Sequence, residues 1–446
     1  MSIRKQALFL YSRVRGHRYV DDYYECLRLD ALGEYEEPMR KNLSSLLRHC
    51  RESVPYYQRL LQDVAPGSCD PQEYLTRLPL LTKALIREHF EELQSVDLGR
   101  RDCRLNTSGG STGEPVRFIQ DWEYRERSRA VTMMYSKWAG KDSGDREIRV
   151  WGSERDVFEG TESLTAKLWN FGTNTRILNA FRMSPGKMRD YIRIINESKP
   201  TLIVAYAQAI YELARFAEAN AIRVSPQRAI LTSAGTLYEF MRQKIESVFQ
   251  TRVFNRYGSR EVGDMACECD THEHLHIAPS GHFIEIVDDN GAQLTDGVEG
   301  NIAVTCLMNY AMPLVRYSIG DRGVMSTARQ CSCGRKGPML KAVLGRNVDA
   351  FKTADGTLID GEYFTHLLYF RNWVRQFQVV QRGYSEVEYK IVGSAGGAHP
   401  AEVEEIIAKT KLVLGPSCQV RLDFVPDILP SPSGKYRYTI SEVQHQ

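Results

Sequence analysis

The residues best suited to chemistry lie in one stretch, Asn106-Thr107-Ser108-Gly109-Gly110-Ser111-Thr112-Gly113-Glu114-Pro115, a run of hydroxyls and glycines without a bulky side chain. Glycine lets the backbone reach positive φ and approach a ligand closely. Consecutive N–H groups can then point at one anion while Ser108, Ser111 and Thr112 add hydroxyl donors. Such a loop suits phosphate. It is not of the Walker type, because no Lys-Ser/Thr pair follows the glycines. A flexible surface turn has the same composition, so the reading depends on what accompanies the loop. Glu261, in Tyr257-Gly258-Ser259-Arg260-Glu261, is a loop carboxylate able to hold a cation. Lys435, alone at the tip of the Pro/Gly loop 430–437, reads by itself as a solvated surface charge.

A second set of reactive side chains is Cys267-Glu268-Cys269-Asp270-Thr271-His272-Glu273-His274-Leu275-His276, followed much later by Cys331-Ser332-Cys333-Gly334-Arg335. Ten cysteines in 446 residues do not form a disulfide framework. In a reducing compartment, clustered Cys and His are more often metal ligands. This number of donors can build a tetrahedral Zn²⁺ site that staples a long loop to a sheet. The Cys-x-Cys spacing equally suits free thiols beside ordinary loop or strand histidines.

These groups need elements to position them. At 446 residues the chain is too long for one core and is expected to form two or three domains. Lys and Arg number 58 against 56 Asp and Glu, which argues against a large electrostatic footprint for nucleic acid and favours small-molecule partners. No stretch approaches the length of a membrane span and the N-terminal apolar run is too short for a signal peptide, so a cytoplasmic location is expected.

Residues 1 to about 100 read as mostly helical, with amphipathic periods at 43–50 and 84–93 and Thr82 as a helix N-cap. Strand signals at 148–152, 201–206, 228–233 and 252–257 then alternate with helical periods at 187–197, 208–220 and 238–249. This predicts an α/β arrangement with a parallel or mixed sheet, whose ligands bind beyond the carboxyl ends of the strands, where Tyr257 to Glu261 falls. From about His276 the pattern changes to strands and turns. After residues 345–349 a new unit reads as two strands (376–380, 386–392), a helix (401–414) and a strand (419–425). A domain boundary is expected there, giving domains 1–345 and 346–446.

Together these stretches resemble the adenylate-forming superfamily of acyl-CoA synthetases, and more narrowly the branch of phenylacetate:CoA ligases and capsular-polysaccharide-associated ligases. The resemblance rests on Val54-Pro55-Tyr56-Tyr57, Leu78-Pro79-Leu80-Leu81-Thr82-Lys83, the loop at 107–115, Tyr257 to Glu261, Arg316-Tyr317-Ser318-Ile319-Gly320-Asp321, Gly345-Arg346 and Ser433-Gly434-Lys435. It covers nearly the whole chain. It implies a large N-terminal α/β domain with mixed sheets and a small mobile C-terminal α+β lid.

The resemblance further implies that Thr107, Ser108, Gly109, Gly110, Ser111, Thr112 and Gly113 hold the β- and γ-phosphates of ATP. Ala234, Gly235, Tyr257 and Gly258 would border the nucleotide, with Gly235 standing where the family usually carries a carboxylate. Glu261 would bind Mg²⁺, and Asp321 would accept hydrogen bonds from both ribose hydroxyls. Arg346 would support the ribose and phosphate, Asp349 would be the hinge, and Lys435 would reach in from the lid as the cation of adenylation. Trp151, Tyr206 and Tyr257 are candidates for an aromatic-lined acid pocket, although core packing is an even alternative. In the cysteine cluster the implied zinc ligands are Cys269, His276, Cys331 and Cys333, with His274 and Cys267 in reserve.

The implied reaction activates a carboxylic acid as its acyl-adenylate, with release of pyrophosphate, and passes the acyl group to a thiol, with coenzyme A as the implied acceptor. The segment Lys352-Thr353-Ala354-Asp355-Gly356 matches the thiol-accepting pattern only loosely. Transfer to an amine or hydroxyl in polysaccharide or natural-product assembly therefore stays open, as does adenylylation of a hydroxyl. A reading of another class is an ATP-binding regulator without turnover. Relatives of this branch imply a possible homodimer.

Overall fold

The computed structural model describes residues 3–61, 70–107, 116–151, 164–180, 183, 185–278, 280–346, 351–354, 358–359, 361–368, 371, 373–393, 397–428 and 438–443. The chain divides into two compact units, one made by Met1–Thr107 with Arg117–Leu344 and the other containing Gly345–Gln446.

The first unit begins with helices α1 (Ile3–Val14), α2 (Tyr19–Leu32), α3 (Glu36–Ser53), α4 (Pro55–Leu60), α5 (Pro71–Thr76) and α6 (Lys83–Glu88). Met39, Leu43, Leu46, Leu47 and Cys50 recur at helical spacing and form the buried face of α3. Thr82 caps α6 as expected, its hydroxyl accepting from the Leu85 amide at 3.2 Å. The helix stops at Glu88, short of the predicted 93, because His89 leaves helical geometry and the chain continues in hydrogen-bonded turns.

Strands β1 (Cys103–Thr107) and β2 (Arg117–Asp121) form an antiparallel pair that sets Thr107 opposite Arg117. Asp121 then caps α7 (Trp122–Trp138) by accepting from the Tyr124 amide at 2.8 Å.

The next stretch alternates: β3 (Glu147–Trp151), α8 (Leu164–Thr173), β4 (Thr175–Asn179), α9 (Pro185–Ser198), β5 (Leu202–Tyr206), α10 (Ala207–Ala219), β6 (Ile230–Ser233), α11 (Glu239–Phe249) and β7 (Val253–Ser259). These strands pair in parallel. Ile148, Val150, Ile203 and Ile230 pack against Ile195, Leu213 and Phe249 of the crossover helices, the burial that makes the layer.

At β7 the sheet turns antiparallel through β8 (Gly263–Glu268), β9 (Leu275–Ile277), β10 (His282–Val287), β11 (Glu299–Cys306), β12 (Tyr317–Met325) and β13 (Met339–Arg346). The result is one mixed sheet of 11 strands in the order β10-β11-β12-β13-β9-β8-β7-β6-β5-β3-β4.

Two of the sequence stretches singled out above meet at the start of β12. Leu81 donates its amide to the Arg316 carbonyl, and Ser318 donates to the Leu81 carbonyl, each at 3.0 Å. The buried Arg316 side chain donates to the carbonyls of Leu78 and Gly291, both at 2.7 Å, and pairs with Glu285 at 3.0 Å.

The second unit holds the short pair β14 (Phe351–Lys352) and β15 (Leu358–Ile359), then α12 (Gly361–His366), β16 (Val374–Gly383), β17 (Glu386–Gly393), α13 (Pro400–Leu414), β18 (Gln419–Phe424) and β19 (Thr439–Ser441). Its four-stranded sheet runs β18-β17-β16-β19. Phe377, Tyr389, Ile391 and Ile406 lie in its own core. The predicted strand, strand, helix, strand order is present. The unforeseen β19 is only three residues long and pairs in parallel with β16, too brief for a periodic signal.

Candidate active site and metal centre

Trp151 and Tyr206 end the parallel strands β3 and β5, and Ser233 ends β6 in register with Tyr206. The rings of Trp151 and Tyr206 lie 4.2 Å apart between centroids, tilted by 49°. The chain then leaves β6 through two residues at positive φ, Ala234 at 54° and Gly235 at 155°. An L-residue such as Ala234 pays about 1–2 kcal/mol for that conformation, so the turn is held against a local preference. It sits at the carboxyl edge, where open α/β sheets bind ligands.

Tyr257 lies next to this edge near the end of β7, where a bulge at Tyr257/Gly258 breaks the register with β8. Its hydroxyl donates to Oδ2 of Asp321 on β12 at 2.7 Å. Gly258 is closely covered: a Cβ there would come within 2.8 Å of the Gly263 carbonyl oxygen. Gly263 takes φ 83° against Ser128 of α7, so the β7–β8 turn packs tightly on that helix.

Glu261 stands in this turn, buried, and accepts from the hydroxyl of fully buried Tyr317 at 3.2 Å. The side-chain amide of Gln120 donates to the carbonyls of Arg260 and Glu261 at 3.0 and 3.1 Å and accepts from Asn106 at 2.8 Å. Arg260 donates to the Thr107 carbonyl at 3.3 Å. The strand pair that flanks the Gly/Ser/Thr stretch is therefore tied to the turn that carries Glu261. Behind it, Nε2 of buried His282 lies 2.7 Å from the Val262 carbonyl, and burial lowers this imidazole to about 4.

Glu261, Thr107, Tyr257 and Asp321 are thus linked within one unit, and Trp151, Tyr206, Ala234 and Gly235 line the neighbouring strand ends. Ser108, Gly109, Gly110, Ser111, Thr112, Gly113, Asp349 and Lys435 lie outside the described residues, as does the side chain of Arg346, the last residue of β13. The sequence reading gave no role to Gln120, Tyr317 or His282. A buried amide inside Phe118-Ile119-Gln120-Asp121 was a usable sign, whereas nothing local marks His282.

The cysteine and histidine segments also converge. Cys269, His276, Cys331 and Cys333 bring their donor atoms within 4.8 Å of one another. Sγ of Cys269 is 3.8 Å from Sγ of Cys331, and Sγ of Cys333 is 3.7 Å from Nε2 of His276. A tetrahedral zinc with ordinary Zn–S and Zn–N bonds has ligand–ligand edges of about 3.5–3.8 Å, so these four donors fit it. Thr271 Oγ1 lies 3.1 Å from the Cys269 sulfur and 3.3 Å from the Cys331 sulfur.

Burial pushes the Cys331 thiol up, but hydrogen bonds with Thr271 and the Cys333 amide bring it below its ordinary value. Burial lowers His276 to about 4, which leaves the neutral imidazole a metal requires. Cys267 and His274 are not in the group, although both are near in sequence. Asp30 of α2 braces the segment from behind, pairing with Arg335 at 3.0 Å and accepting from Trp138 Nε1 at 3.0 Å and Tyr35 at 2.7 Å.

The chain shares its fold with 2-hydroxyisobutyryl-CoA ligase solved in complex with 2-HIB-AMP and CoA (TM-score 0.61, 18% identity, 92% of this chain and 90% of the other). Its relatives by sequence include Protein CapK of Staphylococcus aureus, 24% identical over 96% of this chain and 94% of the relative. Phenylacetate-coenzyme A ligase of Thermus thermophilus is 26% identical over 77% of each. Residues 351–442 match the CapK C-terminal domain family. Among the described residues no helix is long and apolar enough to cross a membrane.

Proposed function

We propose that the protein activates a carboxylic acid with ATP to form an acyl-adenylate, then passes the acyl group to the thiol of coenzyme A. The observation that carries this reading is the linked set Thr107, Glu261, Tyr257 and Asp321, at the carboxyl edge of a chain related along most of its length to phenylacetate-coenzyme A ligases. Asp321 offers one carboxylate oxygen to Tyr257 and keeps acceptor capacity for ribose hydroxyls. Ala234, Gly235, Tyr257 and Gly258 form the border of the nucleotide site. The loop from Thr107 to Gly113 receives the β- and γ-phosphates.

Glu261 holds Mg²⁺, which offsets charge on the phosphates and the departing pyrophosphate when bound. Lys435 and Arg346, both in the lid domain 346–446, supply cationic charge, and Asp349 is the hinge. Trp151, Tyr206 and Tyr257 line the acid pocket, which favours an aryl acid. Cys269, His276, Cys331 and Cys333 hold a structural Zn²⁺ remote from the reaction. The protein acts in the cytoplasm on small molecules, as a homodimer.

Kinship with CapK over 96% of the chain supports a second reading, transfer of the acyl group to an amine or hydroxyl of a saccharide rather than to coenzyme A. Acid-dependent exchange of pyrophosphate into ATP tests the first half-reaction. Acceptor-dependent release of AMP with coenzyme A, against release with amino sugars or alcohols, separates the two readings.

A further inference from the structure

A cavity of about 470 Å³ opens among α1, α7, α8 and the β3–β4 edge of the large sheet. Strand alternation puts Glu147 and Arg149 on this side of β3, while Ile148 and Val150 face the core under α9 and α10. Phe9, Tyr19, Tyr23, Trp169 and Ile177 give it apolar walls. Its cations are unequally matched. Lys141 and Arg149 share the buried carboxylate of Glu147, and nearby Lys5 and Lys137 share Asp142.

Arg129 has no such partner. Its guanidinium carbon lies 3.6 Å from the ring centroid of Tyr19 and 4.6 Å from that of Trp169, and among the described residues it makes neither an ion pair nor a hydrogen bond. Burial pushes this guanidinium below its ordinary value. Glu126 acts on this charge only through longer-range attraction and forms no ion pair with it, so the sheltered guanidinium between two rings is incompletely compensated and keeps N–H groups for a ligand. A carboxylate or phosphate matches that fork in two parallel hydrogen bonds. The apolar walls suit a flat or hydrocarbon body attached to it.

We propose that this cavity binds an organic anion, whose carboxylate or phosphate pairs with Arg129 and whose apolar body lies against Phe9, Tyr23 and Trp169. Two sources share this chemistry. Arg149 stands two residues before Trp151 on β3, about 7 Å away by strand rise. The anion is then either the far end of a doubly charged acid substrate or a separate small molecule.

Calorimetric titration of the full chain with naphthalene-1-acetate and with its uncharged amide tests the site. The anion is expected to bind at least tenfold more tightly than the amide. Arg129→Met is expected to abolish that preference while keeping the amide's affinity. Arg129→Lys, which keeps charge but loses the fork, gives a preference reduced several-fold. Thr175→Trp, filling the cavity from edge strand β4, weakens both ligands. An anion preference unchanged in a folded Arg129→Lys or Arg129→Met protein, or no preference in the wild type, overturns the proposal.

In pyrophosphate exchange with phenylacetate, competitive inhibition by naphthalene-1-acetate that weakens in Arg129→Met assigns the cavity to the substrate's far end. Arg129-dependent binding without competition assigns it to a separate ligand. Because binding is read without turnover, a protein that exchanges with no acid yet shows the Arg129-dependent preference retains this site and loses only the adenylation reading.

Discussion

The hydroxyl of Tyr257 donates a 2.7 Å hydrogen bond to the carboxylate of Asp321, although β8, β9 and β13 separate their strands in the sheet. The contact exists because the sheet curls. Tyr317 and Glu261 meet the same way, at 3.2 Å. Two candidate ligand-binding carboxylates are each held by a tyrosine from the opposite side of the curl.

If Asp321 accepts the ribose hydroxyls, Tyr257 is its positioning residue. Asp321→Asn is expected to raise KM for ATP by about 10–100-fold, the cost of hydrogen bonds to a charged acceptor. Tyr257→Phe should raise it only about 3–10-fold, with kcat nearly unchanged. Steady-state exchange kinetics at varied ATP check both. Equal KM values in wild type and Asp321→Asn would remove Asp321 from the nucleotide site.

Arg316 is a structural residue in spite of lying in one of the stretches that carry the resemblance. It is buried against Glu285, whose carboxyl burial pushes up. Arg316→Met leaves Glu285 without a counter-ion and is expected to cost roughly 3–5 kcal/mol in denaturant unfolding. Adding Glu285→Met should recover most of that loss. Additive losses in the double variant would mean that the carbonyl contacts to Leu78 and Gly291, not the ion pair, carry the effect.

How much could be read from the sequence follows from what each signal measures. Periodicity located β5 and β6 because parallel strands buried on both faces are largely apolar runs, β3 because Ile148 and Val150 alternate with polar neighbours, and α10 and α11 because each buries one face. The same signal cannot report curl, so the hydrogen bond between Tyr257 and Asp321 is visible only in the structure, and the resemblance supplied no more than a nucleotide-site role for each. Gln120 carried a local sign in its apolar setting, but its partners and those of Tyr317 could not be read because Glu261 is more than fifty positions from either. A metal site in the two Cys/His segments could be proposed from residue types, while the particular set Cys269, His276, Cys331 and Cys333 came from the resemblance. His276 lies within β9 and joins the group, whereas His274 precedes the strand and does not, a difference that residue types alone do not show.

A zinc at these four donors leads to a chemical test. Purified protein is expected to contain near-stoichiometric zinc, and Cys331→Ser to lower Tm by roughly 5–10 °C. Exchange activity of the remaining folded variant should change little, since the site serves structure. Metal analysis finding no zinc, with Tm insensitive to strong chelators, would leave the group as reduced thiols.

Burial of His282 makes stability depend on acid. Its folded value of about 4 lies below the ordinary 6.5, so between those values the unfolded chain binds more protons and stability falls as pH drops. The contribution is intact above pH 6.5, and roughly 3 kcal/mol at most is lost by pH 4. His282→Gln keeps a donor toward the Val262 carbonyl and should flatten this part of the profile. Parallel denaturant profiles for the two proteins across that window would exclude His282 as the titrating group.

The central claim is activation of an acid by adenylation, and the most direct measurement is acid-dependent exchange of labelled pyrophosphate into ATP with Mg²⁺. Wild type and Lys435→Ala would be compared over a panel of aryl, fatty, hydroxy and amino acids. The account expects exchange with one chemical group of acids and a fall of at least about 100-fold in the variant, the scale of a cation acting on transition-state charge. Exchange with no acid, from folded protein that binds ATP, would contradict it.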